Sequence, residues 1–183
     1  MTDTDTVTKV TAAETAALDL AQTTNETRSD GLRAIADAII DRKDEILDAN
    51  EKDVAEAEKM LEAGEYSQAL VDRLKLDESK LGSIAEMVRS VADQEDPLGK
   101  TVTARELDED LELYNVAVPI GVIGSVFESR PDALVQIAAL SLKSGNAVIL
   151  KGGSEALHSN RVLYSIIESV TEDIAPGWVQ LIE

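Results

Sequence analysis

Near residue 118 the apolar pattern of this chain changes period, and that change decides what it can fold into. The run VPIGVIGSVFE, residues 118–128, is dense in Val and Ile, which predicts a strand buried on both faces. Pro131 opens the next segment, where a proline fits the first helical turn because its missing N–H removes no bond. Leu134, Val135, Ile137, Ala138, Ala139, Leu140 and Leu142 make that helix apolar almost all round, which predicts deep packing, and Gly145 ends it as a C-cap. Asn146–Leu150 reads as a second strand, Ser154 to about Asp173 as a second helix, Pro176–Gly177 as a turn and Trp178–Ile182 as a third strand, with Trp178 in the core. Residues 118–183 therefore spell strand, helix, strand, helix, strand. The fold class is α/β, with this unit forming a βαβαβ half of a Rossmann-like parallel sheet. Ligands of such sheets bind outside the carboxyl ends of the strands, where Glu128–Arg130 and Lys151–Glu155 both fall.

Upstream of the change the period is helical. Residues 1–6 read as a frayed end, and Val7, Val10, Ala13, Ala17, Leu18, Leu20 and Ala21 then recur at helical spacing as far as Thr23. A second helix is predicted from Thr27 or Ser29 continuously through Leu47. Further helical stretches cover 51–63, 67–74 and 77–93, with Asp77 placed to cap the last of them. Turn chemistry at 93–99 closes the helical region, and residues 100–107 and 111–118 read as a hairpin around the acidic turn Asp108–Asp110. The chain divides accordingly into a mainly helical part (1–99), a β-hairpin (100–118) and the half-sheet (118–183), together a partial cofactor-binding domain. Parallel strands need helices on both faces, and the acidic helices of the first hundred residues can cover one. The chain stops on a strand, which reads as a fragment or a shortened copy.

Charge narrows the function classes. There are 36 Asp and Glu against 17 Lys and Arg, a net charge of −19, which argues against nucleic acid as a partner because phosphate backbones need cations. Residues 1–118 hold 29 of those acids and 13 of the bases, with the acids interleaved among apolar residues at helical spacing. A solvated acidic shell of this kind suits a protein working in high salt, where self-repulsion is screened. No apolar run is long enough to span a membrane and no secretory signal is visible at the start, so a cytoplasmic protein is expected. The chain has no cysteine, hence no disulfide, thiolate metal site or thiol nucleophile of its own. His158 is the single histidine and lacks partners at ligand spacing, so no metal site is expected; Ser129 lacks a base that would make it a nucleophile.

Two short stretches remain as candidate sites. KGGSE at 151–155 is neither the spaced-glycine dinucleotide fingerprint nor a P-loop, because its lysine precedes the glycines. Its chemistry still suits a phosphate-bearing cofactor. Gly152 and Gly153 let the backbone turn sharply and a ligand come close. Ser154 can cap the following helix, whose N-terminus favours an anion. Lys151 adds a full charge, and Glu155 can accept from ribose hydroxyls. In FESRPD, residues 127–132, Arg130 lies between a strand and a helix N-terminus and suits a carboxylate or phosphoryl group. The plainer alternatives are a tight turn that happens to carry Lys151, and an Arg130 paired with Glu128 or Asp132.

The stretch PIGVIGSVFESRPDALVQIAALSLKSGNAVILKGGSEALHSN, and within it ESRP followed by LKSGNAVILKGGSEA, resembles the γ-glutamyl phosphate reductase family. That family, also called glutamate-5-semialdehyde dehydrogenase, is the proline-biosynthesis branch of the aldehyde dehydrogenase superfamily. The resemblance implies NADPH-dependent reduction of L-γ-glutamyl 5-phosphate to glutamate 5-semialdehyde and phosphate, through a thioester on a catalytic cysteine. It implies that Lys151 and Glu155 hold the adenosine ribose and its 2′-phosphate while Gly152, Gly153 and Ser154 form the turn. It makes Arg130, near the place where the superfamily keeps an oxyanion-stabilising asparagine, a candidate for the substrate's phosphate or acyl oxygen. It further implies a homo-oligomer and a cysteine-bearing domain beyond this stretch. With no cysteine here, the expectation is an N-terminal fragment of the reductase; the alternative is a non-catalytic truncated paralogue serving as a nucleotide-binding or oligomerisation module. The acidic shell carries a test of its own. Far-UV circular dichroism in molar KCl should show a helix-rich fold that is lost on dialysis to low salt; a fold unchanged at low salt would remove the high-salt reading.

Overall fold

A computed structural model describes residues 3–183. Helix α1 (Asp3–Leu20) is followed by α2 (Asn25–Asp41), α3 (Lys43–Glu62), α4 (Gln68–Leu74) and α5 (Glu78–Ala92). A hairpin of β1 (Thr101–Asp108) and β2 (Leu111–Val116) comes next. The unit β3 (Val122–Val126), α6 (Pro131–Lys143), β4 (Ala147–Lys151), α7 (Leu157–Thr171), β5 (Val179–Ile182) completes the described chain. The three strands pair in parallel in the order β3-β4-β5. None of the helices is long and apolar enough to cross a membrane.

Right-handed crossovers put both α6 and α7 on one face of this sheet. The opposite face is covered by α1, which packs on β3, β4 and β5 and is tied to the sheet by Lys9 Nζ donating to Leu181 O at 2.9 Å. Of the acidic helices only α1 therefore touches the sheet's second face. α2 and α3 pack on α7, and α2 and α5 on α6, making a further layer outside. The core runs through all these layers and is built from small and aliphatic side chains: Ala13, Leu20, Leu32, Ile39, Leu134, Ala138, Leu150 and Ile166 are fully buried. Trp178 joins them as expected, with its indole N–H donating to Thr171 Oγ1 at 2.8 Å.

Several local expectations hold for the reasons given, and others need correction. Asp77 Oδ1 accepts from Lys80 N at 2.7 Å and caps α5, and Gly145 takes a left-handed φ of 68° directly after α6. Thr24 caps α2 in the same manner, accepting from Thr27 N. The helix already runs from Asp3 instead of fraying to residue 6, and nothing is described for residues 1 and 2. The single helix expected through Leu47 is two, broken at Arg42, where φ −105° and ψ 24° turn the chain. No glycine or proline marks that break; it sends α3 against α4 and α7, whereas α2 lies on α5. The strand expected to be buried on both faces is shorter and more open, with Val126 82% exposed. β3 is an edge strand, with β4 as its one neighbour among the described residues; Val122 and Ile123 still pack against the core, whereas Val126 at its end does not.

A buried polar node joins the helical layer to α6. Lys143 is 3% exposed, and its ammonium donates to Asn25 Oδ1, Ser29 Oγ and Ala92 O, each at 2.9 Å. All three of its protons are thus used without a carboxylate, and burial pulls its pKa down. Arg28, equally buried, donates through Nε to Lys143 O and through Nη2 to Asp96 Oδ1 at 2.8 Å. Asn146 pins the other end of the α6–β4 turn, its Oδ1 accepting from Ile120 N and Gly121 N. Arg28→Ala should lower the free energy of unfolding by about 2–3 kcal/mol in urea titrations, because Asp96 and the Lys143 carbonyl lose their donor together.

Candidate functional site

The carboxyl end of β4 delivers Lys151, then Gly152 and Gly153, into a crevice beside β5. The crevice is about 130 Å³ and is walled by Lys151, Gly152, Ser154, Asn160, Leu181 and Glu183. Close packing explains Gly152: a Cβ there would stand 2.3 Å from Asn160 Nδ2 and 3.2 Å from the ring of Phe127. Gly153 is covered differently, since a Cβ on it would meet the Glu155 carboxylate at 2.2 Å. Lys151 is half-buried, and its Nζ donates to Gly152 O at 2.9 Å, leaving two protons for a ligand. Asn160, 2% exposed, keeps its Oδ1 buried with no partner. An unpaired acceptor and a lysine with two free protons fit the hydroxyls and phosphate of a nucleotide ribose.

The helix N-terminus behind this turn differs from the expectation. Ser154 is exposed and makes no capping bond, because Ser154–Ala156 form a 3₁₀ turn and α7 starts only at Leu157. Asp53, from α3, supplies the missing acceptor. Its Oδ1 accepts from His158 N at 3.0 Å, and its Oδ2 from Ser159 N at 2.8 Å and Ser159 Oγ at 2.6 Å. A buried carboxylate already satisfies the positive end of the helix dipole, so that end does not call for a ligand anion. Asn50 extends the cluster, donating to Ser159 Oγ and Leu74 O and accepting from Leu76 N.

Glu155 also has a different partner from the one expected. Its Oε1 accepts from Ser129 N at 2.7 Å and from Ser129 Oγ at 2.8 Å, joining the KGGSE turn to the loop after β3. Ser129 is 5% exposed and sits at φ 42°, a left-handed conformation unusual for a residue with a side chain, so this latch holds a strained loop residue. Burial works to raise the Glu155 pKa, but hydrogen bonds from its own backbone and from Ser129, with the Lys151 charge nearby, outweigh it and hold the carboxyl below the usual carboxylate range.

Arg130, one residue on, turns away from the crevice. Its guanidinium pairs with Asp132 at 2.8 Å and lies in a second cavity, a cleft of about 400 Å³ between α4, α5 and the start of α6. Four of the five cofactor candidates (Lys151, Gly152, Gly153 and Ser154) line the crevice, whereas Glu155 faces Ser129 and Arg130 lies in the separate cleft. Asp53, Asn50 and Asn160 escaped the sequence reading, and Ser129 entered it only as a nucleophile without a base. Their one visible signal is polar residues set among buried neighbours, and the partners of Asp53, Asn50 and Ser129 lie 24 to 109 positions away.

The α/β architecture agrees with what comparison shows. Residues 1–183 match the aldehyde dehydrogenase family, and the chain belongs to that family. Membership implies a nicotinamide dinucleotide as cofactor. Within the family the chain is 73% identical over all 183 residues to the γ-glutamyl phosphate reductase of Natronomonas pharaonis, covering 42% of that protein. It is 67% identical over 175 residues to the protein of the same name from Haloquadratum walsbyi, covering 96% of the chain and 38% of the relative. The crystal structure of γ-glutamyl phosphate reductase from Saccharomyces cerevisiae superposes with a TM-score of 0.88 at 38% identity, over 96% of this chain and 45% of that one. The chain thus spans about two fifths of the length of the curated relatives. Both of these relatives are haloarchaeal, in keeping with the acidic shell.

Because the folded-state pKa of Glu155 is lowered, its latch contributes stability above the ordinary glutamate range and loses it as pH falls through the lower, folded value. The Ser129 amide should therefore keep its folded NMR shift below pH of about 4.3, where an unperturbed Glu takes up its proton. In Glu155→Gln the acceptor remains and the acid transition should vanish; a transition unchanged in that variant would assign it to another carboxyl.

Proposed function

We propose that the polypeptide carrying these residues reduces L-γ-glutamyl 5-phosphate with NADPH and a proton, releasing L-glutamate 5-semialdehyde, phosphate and NADP⁺. The crevice at the carboxyl ends of β4 and β5, in a chain so close to γ-glutamyl phosphate reductases, is the observation that carries this reading. The bound dinucleotide supplies a hydride. This segment binds and orients: Lys151 meets the 2′-phosphate, Gly152 and Gly153 form the turn that places it, and Ser154 and Asn160 offer hydrogen bonds to the ribose hydroxyls. Glu155, expected from the resemblance beside the ribose, acts here as a positioning residue, since its carboxylate holds Ser129 and through it the loop bearing Arg130. Arg130 meets the phosphoryl group of the substrate, exchanging Asp132 for it. The thiol that would accept the acyl group lies outside these 183 residues, which contain no cysteine.

Preference for NADPH rests on Lys151, whose charge has no carboxylate in direct contact among the described residues and is free to meet a 2′-phosphate. In the whole protein, Lys151→Ala should raise the KM for NADPH by about tenfold while changing that for NADH by less than about twofold. Binding of 2′,5′-ADP, followed by calorimetry, should weaken in parallel without any turnover. Equal losses for both cofactors, or none, would remove the 2′-phosphate contact.

A further inference from the structure

The cleft beside Arg130 contains charges that the cofactor crevice does not use. Arg73, Lys75, Lys80 and Arg130 line it together with Asp72 and Asp132, over a floor of Leu76, Ile84 and Met87. Two of the cations are already matched, Arg130 by Asp132 at 2.8 Å and Lys75 by Glu58 at 3.1 Å. Arg73 and Lys80 differ. Arg73 donates only its Nε, to Ala69 O, and Lys80 donates to Lys75 O, so each keeps spare donors and neither forms an ion pair among the described residues. That is unexpected in a chain where 36 acids surround 17 bases, because carboxylates are the commonest groups on its surface. Asp72 is the one acid of the cleft without a cationic partner, and its Oδ1 is taken by Gln68.

We propose that this cleft takes the amino-acid end of the acyl phosphate, with Arg73 and Lys80 receiving its α-carboxylate and so selecting the substrate. The proposal rests on the reductase reading above and adds the part of the substrate remote from the reacting carbon. The guanidinium fork of Arg73 suits a planar carboxylate, and Lys80 adds a second charge. The apolar floor accommodates the two methylene groups between the ends, while Asp72, next to Arg73 in the chain, is available to the α-ammonium. The phosphoryl end then falls toward Arg130 and the first turn of α6, next to the loop that the Glu155 latch joins to the cofactor crevice. A volume of about 400 Å³ is ample for a molecule of this size. Asn50 sets the position of the α4–α5 connection that carries Lys75, by bonds to Leu74 O and Leu76 N at 2.8 Å each.

The test uses the whole protein in the oxidative direction, where semialdehyde, phosphate and NADP⁺ have separate KM values. The Arg73→Ala, Lys80→Ala double variant should raise the KM for glutamate 5-semialdehyde by tenfold or more, roughly the worth of one charge-assisted hydrogen bond. The KM values for phosphate and NADP⁺ should stay within about twofold. Arg73→Lys should recover part of the loss. A uniform rise in all three constants, or none in that for the semialdehyde, would overturn the assignment. L-glutamate binding, measured by calorimetry without cofactor, separates the two readings. Binding by the wild type that the double variant loses supports the cleft even if no turnover is found; absent binding, or binding retained by the variant, refutes it.

Discussion

A carboxylate that crosses from one helix to the start of another governs the functional end of this molecule. Asp53 is buried in α3, yet it accepts from the backbone of His158 and Ser159 and from the Ser159 hydroxyl. By filling the positive end of α7 it fixes where that helix begins, and so where Asn160 stands over Gly152. Asn50, one helical turn earlier, shares Ser159 and also holds the connection between α4 and α5. One polar cluster therefore positions both the wall of the crevice beside β5 and the rim of the cationic cleft.

The division of labour at the strand ends follows. The crevice and the cleft are separate, and the bonds between Ser129 and Glu155 join the loop that carries Arg130 to the KGGSE turn. The left-handed backbone of Ser129 is tolerated because Glu155 accepts from it twice. Through one carboxylate oxygen Glu155 also holds the loop that carries Arg130. Lys151 and Arg130 are each held by a single partner, the Gly152 carbonyl and the Asp132 carboxylate.

Much of the fold was legible in the residues because its determinants are local. Pro131, Gly145 and the apolar runs around them mark α6 and β4 without reference to anything distant, and Asp77 caps α5 from three residues away. The break at Arg42 was not legible, since it depends on α3 finding α4 and α7 and has no local breaker. The exposure of Val126 escaped for the converse reason: composition reports that a strand is apolar, whereas burial depends on which neighbours the sheet supplies. Lys143 shows the limit most clearly. It reads as an ordinary helix-terminal lysine, and only the approach of Asn25, Ser29 and Ala92 reveals a buried node.

The sequence by itself determined the α/β class, the order of the elements, the acidic shell and the place of the KGGSE turn at a strand end. Periodicity, turn residues and net charge are properties of neighbours along the chain, so they survive without coordinates. Tertiary structure alone decided that Asp53 rather than Ser154 caps α7, that Glu155 faces Ser129, and that Arg130 looks into a separate cleft beside Arg73 and Lys80. Each of those outcomes is a competition among hydrogen-bond acceptors or charges for one donor. Such a competition is settled by distance in space, which the order of residues does not record.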